Sequence, residues 1–250
     1  MSTHIETLDN SLKYFAVEPA LTREQQIDAA RLRHQVYCEE FGYEPVMADG
    51  MEADNHDRHS LHCVVRHRGS GMAAGCVRLI CASEDTTMAI EQHCLGSLNL
   101  EHLERLGNAR DSTCEVSRLA VSPAFRGFRR RTSTGFLEVG DNQQFCNAER
   151  QCFPLVTLAV YLSAFATADL AGRPNLFGMM EASLPRLLRR AGIHVRRAGD
   201  FMDYHGRRAP HFITVEEAIA GMSPAVETLY SSIHSTLSKR LACQGTVAVA

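Results

Sequence analysis

Residues 114–121 read C-E-V-S-R-L-A-V, and Ser122-Pro123 follows directly. Apolar residues occur through most of this stretch, which is typical of a buried strand, and proline ends it because it has no backbone N–H to donate. Glu115 and Arg118 interrupt the apolar run. A charged side chain inside such a run is costly unless it is paired. The segment therefore predicts a central strand whose charged groups have partners elsewhere in the chain.

Upstream of this strand the sequence predicts a helix and a hairpin. Thr22 and Gln25 have the spacing of a capping box, so a helix is expected to run from there to about Phe41 and to end at Gly42. Apolar residues alternate at 61–65 and again at 77–81. The glycine-containing segment 69–71 lies between these runs and predicts a β-hairpin.

Downstream, helical and strand patterns alternate without a flexible linker or an internal repeat. We therefore expect one α/β domain over residues 1–250, with an N-terminal extension at 1–20 and a C-terminal helix and tail at 222–250. The expected helices are 98–106, 153–171, 183–191 and 226–241, and the expected strands are 176–180 and 211–215.

The composition is that of an ordinary globular enzyme. The chain has 250 residues, 45% of them hydrophobic, and a net charge of −3, which gives no global reason to expect nucleic-acid binding. Its nine cysteines include no C-x-x-C pair, so we expect them to be reduced. The N-terminus has no signal-peptide pattern. Residues 153–170 are borderline for a membrane span and are interpreted as a buried helix, which predicts a cytoplasmic protein without a transmembrane segment.

Three arginines interrupt apolar or aromatic segments, and a nearby acidic loop offers partners. Their positions predict a charge network around one cleft. The alternative is that each arginine faces solvent and that the acidic loop is simply hydrated. The candidate members are Arg33, Arg78, Arg118, Glu52, Asp54, Asp57 and Glu115.

Glu115 is the candidate general base. An amine arrives as an ammonium ion and must lose a proton before it can attack a carbonyl carbon, and a carboxylate can accept that proton directly or through water. Glu115 and Arg118 are three residues apart, so a regular strand would place them on opposite faces. A β-bulge between them would bring the two side chains together.

Four stretches occur in an order that resembles a known group of enzymes. They are L-R-H-Q-V-Y-C-E-E-F-G-Y-E at 32–44, D-G-M-E-A-D-N-H-D at 49–57, G-C-V-R-L at 75–79 and E-V-S-R-L-A-V at 115–121. Together they resemble the autoinducer-synthase branch of the GCN5-related acyltransferase superfamily. The resemblance implies a mixed, mostly antiparallel sheet flanked by helices and splayed at its centre to admit a thioester arm. It also implies a substrate pocket at Tyr37, Phe41 and Tyr43.

Residues 66–79, 184–193 and 204–210 are similar to a narrower subgroup. It comprises the N-acyl-amino-acid synthases and the acyltransferases associated with exosortase (PEP-CTERM) systems. The resemblance implies transfer of a fatty acyl group from an acyl carrier protein thioester to the amine of an amino acid, with no tightly bound cofactor. One alternative is an N-acyl-homoserine-lactone synthase that uses S-adenosylmethionine, although Tyr43 replaces the tryptophan usual there. Another is a non-catalytic acyl-carrier or lipid-binding module.

An arginine run after the central strand bears on the acyl donor. The superfamily's diphosphate-binding loop is absent here, because Arg126-Gly127 is followed by phenylalanine and three arginines. Such a cluster suits an acidic acyl carrier protein better than coenzyme A, and a solvated basic turn is the alternative. The predicted donor-binding residues are Val121, Arg126, Arg129, Arg130 and Arg131.

A histidine-rich stretch, His56-x-x-His59-x-x-His62-Cys63, offers possible zinc ligands. Its last two residues are adjacent on a predicted strand and would face opposite sides of the sheet. No metal site is therefore predicted.

Overall fold

The fold is built on one mixed sheet, seen in a computed structural model that describes residues 12–126, 129–132, 135–138 and 145–243, with side chains for 12–126 and 145–243. Its strands are Phe15–Pro19 (β1), Ser60–His67 (β2), Ala73–Cys81 (β3), Thr113–Val121 (β4), Asn175–Glu181 (β7), Arg196–Arg197 (β8), Met202–Asp203 (β9) and Arg207–Thr214 (β10), while Arg129–Thr132 (β5) and Gly135–Glu138 (β6) form a separate ribbon. The strand order in the sheet is β1-β2-β3-β4-β7-β10-β8, and β9 also pairs with β10. Neighbouring strands are antiparallel except for β4 and β7.

Helices lie against this sheet, so the mixed, mostly antiparallel α/β architecture that the family resemblance implied is confirmed. The first helix continues into a π-helical turn, His34–Glu40. The α-helices are Arg23–Arg33 (α1), Ala89–Cys94 (α2), Leu100–Asn108 (α3), Asn147–Leu170 (α4), Leu184–Arg190 (α5), Val215–Gly221 (α6) and Pro224–Cys243 (α7).

The first helix begins and ends at the residues expected from its sequence. Thr22 accepts the Gln25 backbone N–H at 3.3 Å, and the Gln25 side chain accepts the Thr22 N–H at 3.0 Å. Gly42 follows the π-helical turn with a φ of +64°, a conformation that glycine adopts without steric cost. The helix and the turn together carry the aromatic residues of the first sequence motif toward the centre of the sheet.

The central strands β4 and β7 stay together only over a short length. They pair at three positions, from Thr113 opposite Asn175 to Glu115 opposite Phe177. Beyond Glu115 the structure records no further pair between them, so the sheet opens there. This opening is the splay implied by the family resemblance.

A β-bulge lies in β4 just beyond the opening. Arg78 on β3 faces Ser117, but Cys76 faces Ala120, so the register slips by one residue. Arg118 occupies the slip with a φ of +46°, a left-handed conformation that costs a non-glycine residue about 1–3 kcal/mol. Because of the bulge, Glu115 and Arg118 both face the opening between β4 and β7, although they are three residues apart.

Helix α4 covers one face of the sheet and is the only described helix long and apolar enough to span a membrane. Its most apolar window is 67% buried within the protein, as expected for a core helix. Val160 and Leu162 on α4, Val77 on β3 and Leu176 on β7 belong to one apolar cluster. The helix therefore packs mainly against β2 and β3 of the sheet, and the apolar cluster that it shares with them continues to β7.

The largest difference from expectation is at the N-terminus. Residues 15–19, placed in an N-terminal extension from the sequence, form β1 and pair with β2 from Phe15 opposite His67 to Pro19 opposite Cys63. Phe15 and Val17 are buried, so this edge strand contributes to the core. Its five residues were too few for a periodic pattern to be recognised.

Candidate active site

A cavity of about 640 Å³ occupies the opening between β4 and β7. Its walls come from the bulged part of β4, the last residues of β7, the π-helical turn and the segment before β10. Both polar and apolar groups line it, including Glu115, Arg118, Tyr37, Tyr161, Leu184 and Arg208. A cavity of this size and mixed lining is typical of a small-molecule site.

The predicted arginines and aspartates meet in one network beside the cavity. Arg33 makes a bidentate contact to Asp57 with N–O distances of 2.7 and 2.9 Å. Arg78 is 1% exposed and lies 2.6 Å from Asp54 and 3.1 Å from Asp57. It also donates to Ser117 at 2.9 Å. The arginine charges and hydrogen bonds outweigh burial and hold the pKa of Asp57 well below its usual range.

Arg118 links this network to the cavity. Its guanidinium lies 2.7 Å from Glu44, 3.0 Å from Glu52 and 3.4 Å from Asp54. Glu52 also contacts Arg33 at 2.6 Å. Arg118 is the one arginine of the predicted network that lines the cavity, and these ion pairs offset the strain of its backbone. Glu44 was not anticipated from the sequence, because its contact with Arg118 spans 74 residues.

Glu115 does not take part in the ion pairs, contrary to the predicted pairing. None of the ion pairs between described side chains includes it. Its Oε2 instead accepts the backbone N–H of Ile90 at 2.8 Å. It is 4% exposed, and burial raises the pKa of Glu115 to about 7, although the Ile90 hydrogen bond and the charges of Arg78 and Arg118 oppose the shift. A buried carboxyl group that titrates near neutrality in a cavity has the properties of a general base.

The predicted aromatic pocket forms one wall of the cavity. The Tyr37 hydroxyl donates to the carbonyl of Leu119 at 2.8 Å, and burial raises the pKa of Tyr37 to about 12 despite the nearby charge of Arg118. Phe41 stacks on Tyr43 with ring centroids 5.2 Å apart. Phe41 remains 47% exposed, so the wall extends from the buried interior to the cavity mouth.

Tyr204, His205 and Arg208 line the cavity next to Tyr43 and were not assigned a role from the sequence. His205 has a φ of +51° and packs against the Tyr43 ring at 5.0 Å. The Arg208 guanidinium lies 5.5 Å from the centre of the same ring. The stretch Y-H-G-R-R-A-P had carried part of the subgroup resemblance, and that was the available signal for these residues.

The predicted donor-binding residues fall into two groups. Arg126 makes a bidentate ion pair with Glu40 at 2.7 Å, donates to the Val121 carbonyl at 2.7 Å and lies over the Phe41 ring. The Val121 side chain is 7% exposed and belongs to the main apolar core, so only its backbone faces Arg126. The side chains of Arg129, Arg130 and Arg131 lie outside the described part of the chain.

The histidine-rich stretch does not form a cluster of ligands. His62 lies 3.6 Å from Asp57, and burial lowers the pKa of His62 to about 4. Among the residues that the structure describes, no three His, Cys, Asp or Glu side chains form a group able to hold a metal ion.

The region around the cavity matches a known family model. Residues 32–134 match the model of the acetyltransferase (GNAT) domain family. This match covers the first aromatic motif, the charge network and the bulged strand with Glu115. Residues 32–134 thus resemble a GNAT-type acetyltransferase domain, which supports N-acyltransferase activity.

Solved structures with the same fold include enzymes of two acceptor classes. TofI, solved with an inhibitor and MTA, is 20% identical, covers 85% of this chain and 99% of its own, and has a TM-score of 0.58. The CoA-dependent acyl-homoserine lactone synthase MesI is 16% identical, with a TM-score of 0.55, and the match covers 88% of this chain and 95% of MesI. FeeM, an N-acyl amino acid synthase from uncultured soil microbes, is 10% identical, with a TM-score of 0.52, and the match covers 84% of this chain and 96% of FeeM. A search of curated protein sequences gives no significant match.

Proposed function

We propose that this protein transfers a fatty acyl group from an acyl carrier protein thioester to the α-amine of an amino acid, forming an N-acyl amino acid. The observation that carries the proposal is the position of Glu115. It lines the cavity at the last residue pair before β4 and β7 separate, with its pKa raised to about 7. The narrower subgroup resemblance supports an amino acid as the acceptor.

The chemistry follows from the groups around the cavity. Glu115 accepts a proton from the acceptor's ammonium group, directly or through a water molecule. The free amine then attacks the thioester carbonyl carbon and a C–N bond forms. The C–S bond breaks, and the carrier's thiolate takes up the second proton, which the nitrogen loses as it becomes an amide. Apolar residues such as Leu184 and Met180 line the same cavity and provide a surface for the acyl chain.

The acyl donor is proposed from charge rather than from a described contact. Arg126 already has a carboxylate partner in Glu40, so the arginines at 129–131 are the better candidates for an acidic carrier surface. Replacing these three by alanine should raise the KM for acyl carrier protein and flatten its salt dependence. Replacing the exposed residues Arg23, Arg31 and Lys239 removes the same charge and should leave that KM unchanged. An unchanged KM in the first variant, or efficient use of acyl-CoA, would argue for coenzyme A.

Turnover of purified protein tests the reaction. Dodecanoyl-acyl carrier protein is mixed with a panel of amino acids, thiol release is followed optically, and products are identified by mass spectrometry. Glu115→Gln should lower kcat by about 10²–10⁴-fold with little effect on donor binding, whereas the exposed Glu104→Gln should behave as wild type. Near-normal turnover of Glu115→Gln at pH 7 would exclude Glu115 as the base.

The same assay separates the alternative functions. Consumption of S-adenosylmethionine with release of methylthioadenosine would identify a homoserine-lactone synthase. Binding of acyl thioester without thiol release under any of these conditions would identify a non-catalytic module. An N-acyl amino acid as the product of a free amino acid would support the proposal.

A further inference from the structure

Arg208 lies on the cavity wall beyond Glu115, at the open end of β7. It is on β10, where it pairs across the sheet with Glu181, the last residue of β7. Its side chain lines the cavity and is 16% exposed. The face of the Tyr43 ring holds the guanidinium on this wall at 5.5 Å.

The charge of Arg208 is only partly satisfied by the protein. Its ion-pair partner, Glu181, is 3.2 Å away and has a side chain that is 53% exposed, so solvent weakens this contact. The Nε of Arg208 is buried and has no hydrogen-bond partner among the described residues. Arg118, the other arginine of the cavity, contacts three carboxylates. Of the two arginines that line the cavity, Arg208 is therefore the one whose N–H groups are not all engaged by protein acceptors.

The separation between Glu115 and Arg208 suits a small bifunctional molecule. Glu115 is opposite Phe177 on β7, and Arg208 is opposite Glu181, four residues further along the same strand. At the usual rise of a strand these two positions are about 13 Å apart along β7, and Glu115 and Arg208 lie on the neighbouring strands to either side, each about 4.8 Å from it. Both side chains line the cavity that spans this distance. An acceptor bound in the cavity can therefore offer its amine to Glu115 and its carboxylate to Arg208.

We infer that Arg208 binds the carboxylate of the acceptor and so selects a substrate that carries a carboxylate next to its amine. The inference rests on the proposed function and names the residue that determines which class of amine is accepted. The guanidinium fork supplies two parallel donors to a carboxylate, and Glu181 contacts Arg208 through Nη2 alone. Free amino acids and S-adenosylmethionine both carry this group, so both are included as acceptors in the test.

The test compares acceptors that differ only in the carboxylate. Leucine is paired with 3-methylbutylamine, and tyrosine with tyramine, using wild type and Arg208→Gln. The variant should lower kcat/KM for both amino acids by about 10–100-fold, mainly through KM, and leave the decarboxylated amines within about twofold of wild type. Arg208→Lys keeps the charge but loses the fork and should be intermediate. A parallel loss for S-adenosylmethionine, seen as methylthioadenosine release, would identify that molecule as the source of the carboxylate.

Two controls keep the inference distinct from folding defects. Arg207→Gln changes the exposed neighbour that stacks on Phe201 and should leave both acceptor classes unaffected. The melting temperature of Arg208→Gln should stay close to that of wild type, because its exposed partner Glu181 can be hydrated instead. An equal loss for amino acids and amines, or a raised KM for the acyl donor alone, would overturn the assignment.

A binding measurement decides the matter if wild type acylates no amine, a result that would refute the proposed function by itself. N-dodecanoyl-leucine and N-dodecanoyl-3-methylbutylamine are titrated calorimetrically into wild type and Arg208→Gln. Loss of affinity of about tenfold or more for the carboxylate-bearing compound only would support Arg208 as a carboxylate-binding residue. Equal affinities in the two proteins would refute it.

Discussion

Glu115→Gln should make the protein more stable at alkaline pH while removing its activity. Glutamine keeps the shape of the side chain and its carbonyl oxygen can still accept the Ile90 N–H, so the variant should fold. What it removes is the charge that wild type must bury. Because Glu115 is 4% exposed, solvent does little to relieve that charge.

The size of the effect follows from the pKa shift. Burial raises the pKa of Glu115 from 4.5 to about 7, and each pH unit corresponds to about 1.4 kcal/mol, so the penalty is about 3 kcal/mol. The folded state binds the extra proton between these two values, so wild type loses unfolding free energy as pH rises from about 4.5 to about 7. The loss is absent below this window and complete above it.

Denaturant unfolding of both proteins across pH 4.5 to 8.5 measures this difference. The unfolding free energy of Glu115→Gln minus that of wild type should increase by about 3 kcal/mol across the window, since contributions from other groups cancel. Glu104→Gln should follow wild type in parallel. Parallel curves for Glu115→Gln would show that Glu115 titrates normally and would refute its raised pKa. In the same range, wild-type kcat should rise with an inflection near pH 7.

Two further predictions concern the groups that hold the cavity. Arg78→Met removes a buried cation from the partly exposed carboxylates of Asp54 and Asp57 and should cost about 3–5 kcal/mol of unfolding free energy, measured by denaturant titration. The exposed Arg31→Met should change the unfolding free energy by less than about 0.5 kcal/mol. A loss below about 1 kcal/mol in Arg78→Met would contradict a buried network. Tyr37→Phe removes a hydrogen bond and should cost about 1 kcal/mol, while Tyr230→Phe, whose hydroxyl is buried without a partner among the described residues, should be neutral or stabilising in the same titration. Equal losses in the two tyrosine variants would refute this distinction.

Local patterns in the sequence were sufficient to predict most of the elements around the site. The apolar run at 114–121, the glycine turn at 69–71 and the capping box at Thr22 each depend on neighbouring residues only, and each corresponds to an element of the structure. The bulge could be stated as a condition for Glu115 and Arg118 to act together, but its presence depends on the register with β3. Register is set by tertiary packing and could not be read from one strand.

Two contacts beside the cavity could not be predicted because they are long-range. Glu44 reaches Arg118 across 74 residues of sequence, and Arg208 meets Tyr43 from a strand near the end of the chain. Neither side chain interrupts an apolar run, so the cost of burying a charge gave no signal. For Glu115 the residue itself could be predicted, but its partner could not. It was identified by its charge in a strand, but its actual partner is the Ile90 backbone N–H, and a backbone donor leaves no trace in the sequence.

The short pairing of β4 with β7 gives the sheet an internal edge. Strand edges normally invite association with other chains, and proteins protect them with charges, bulges or covering elements. Here the unpaired parts of both strands face a cavity enclosed by Tyr161, Leu184 and Tyr204, and Arg118 adds both a charge and a bulge. The protein can thus offer strand backbone to a ligand without presenting it to a second copy of itself, which separates substrate access from the risk of aggregation.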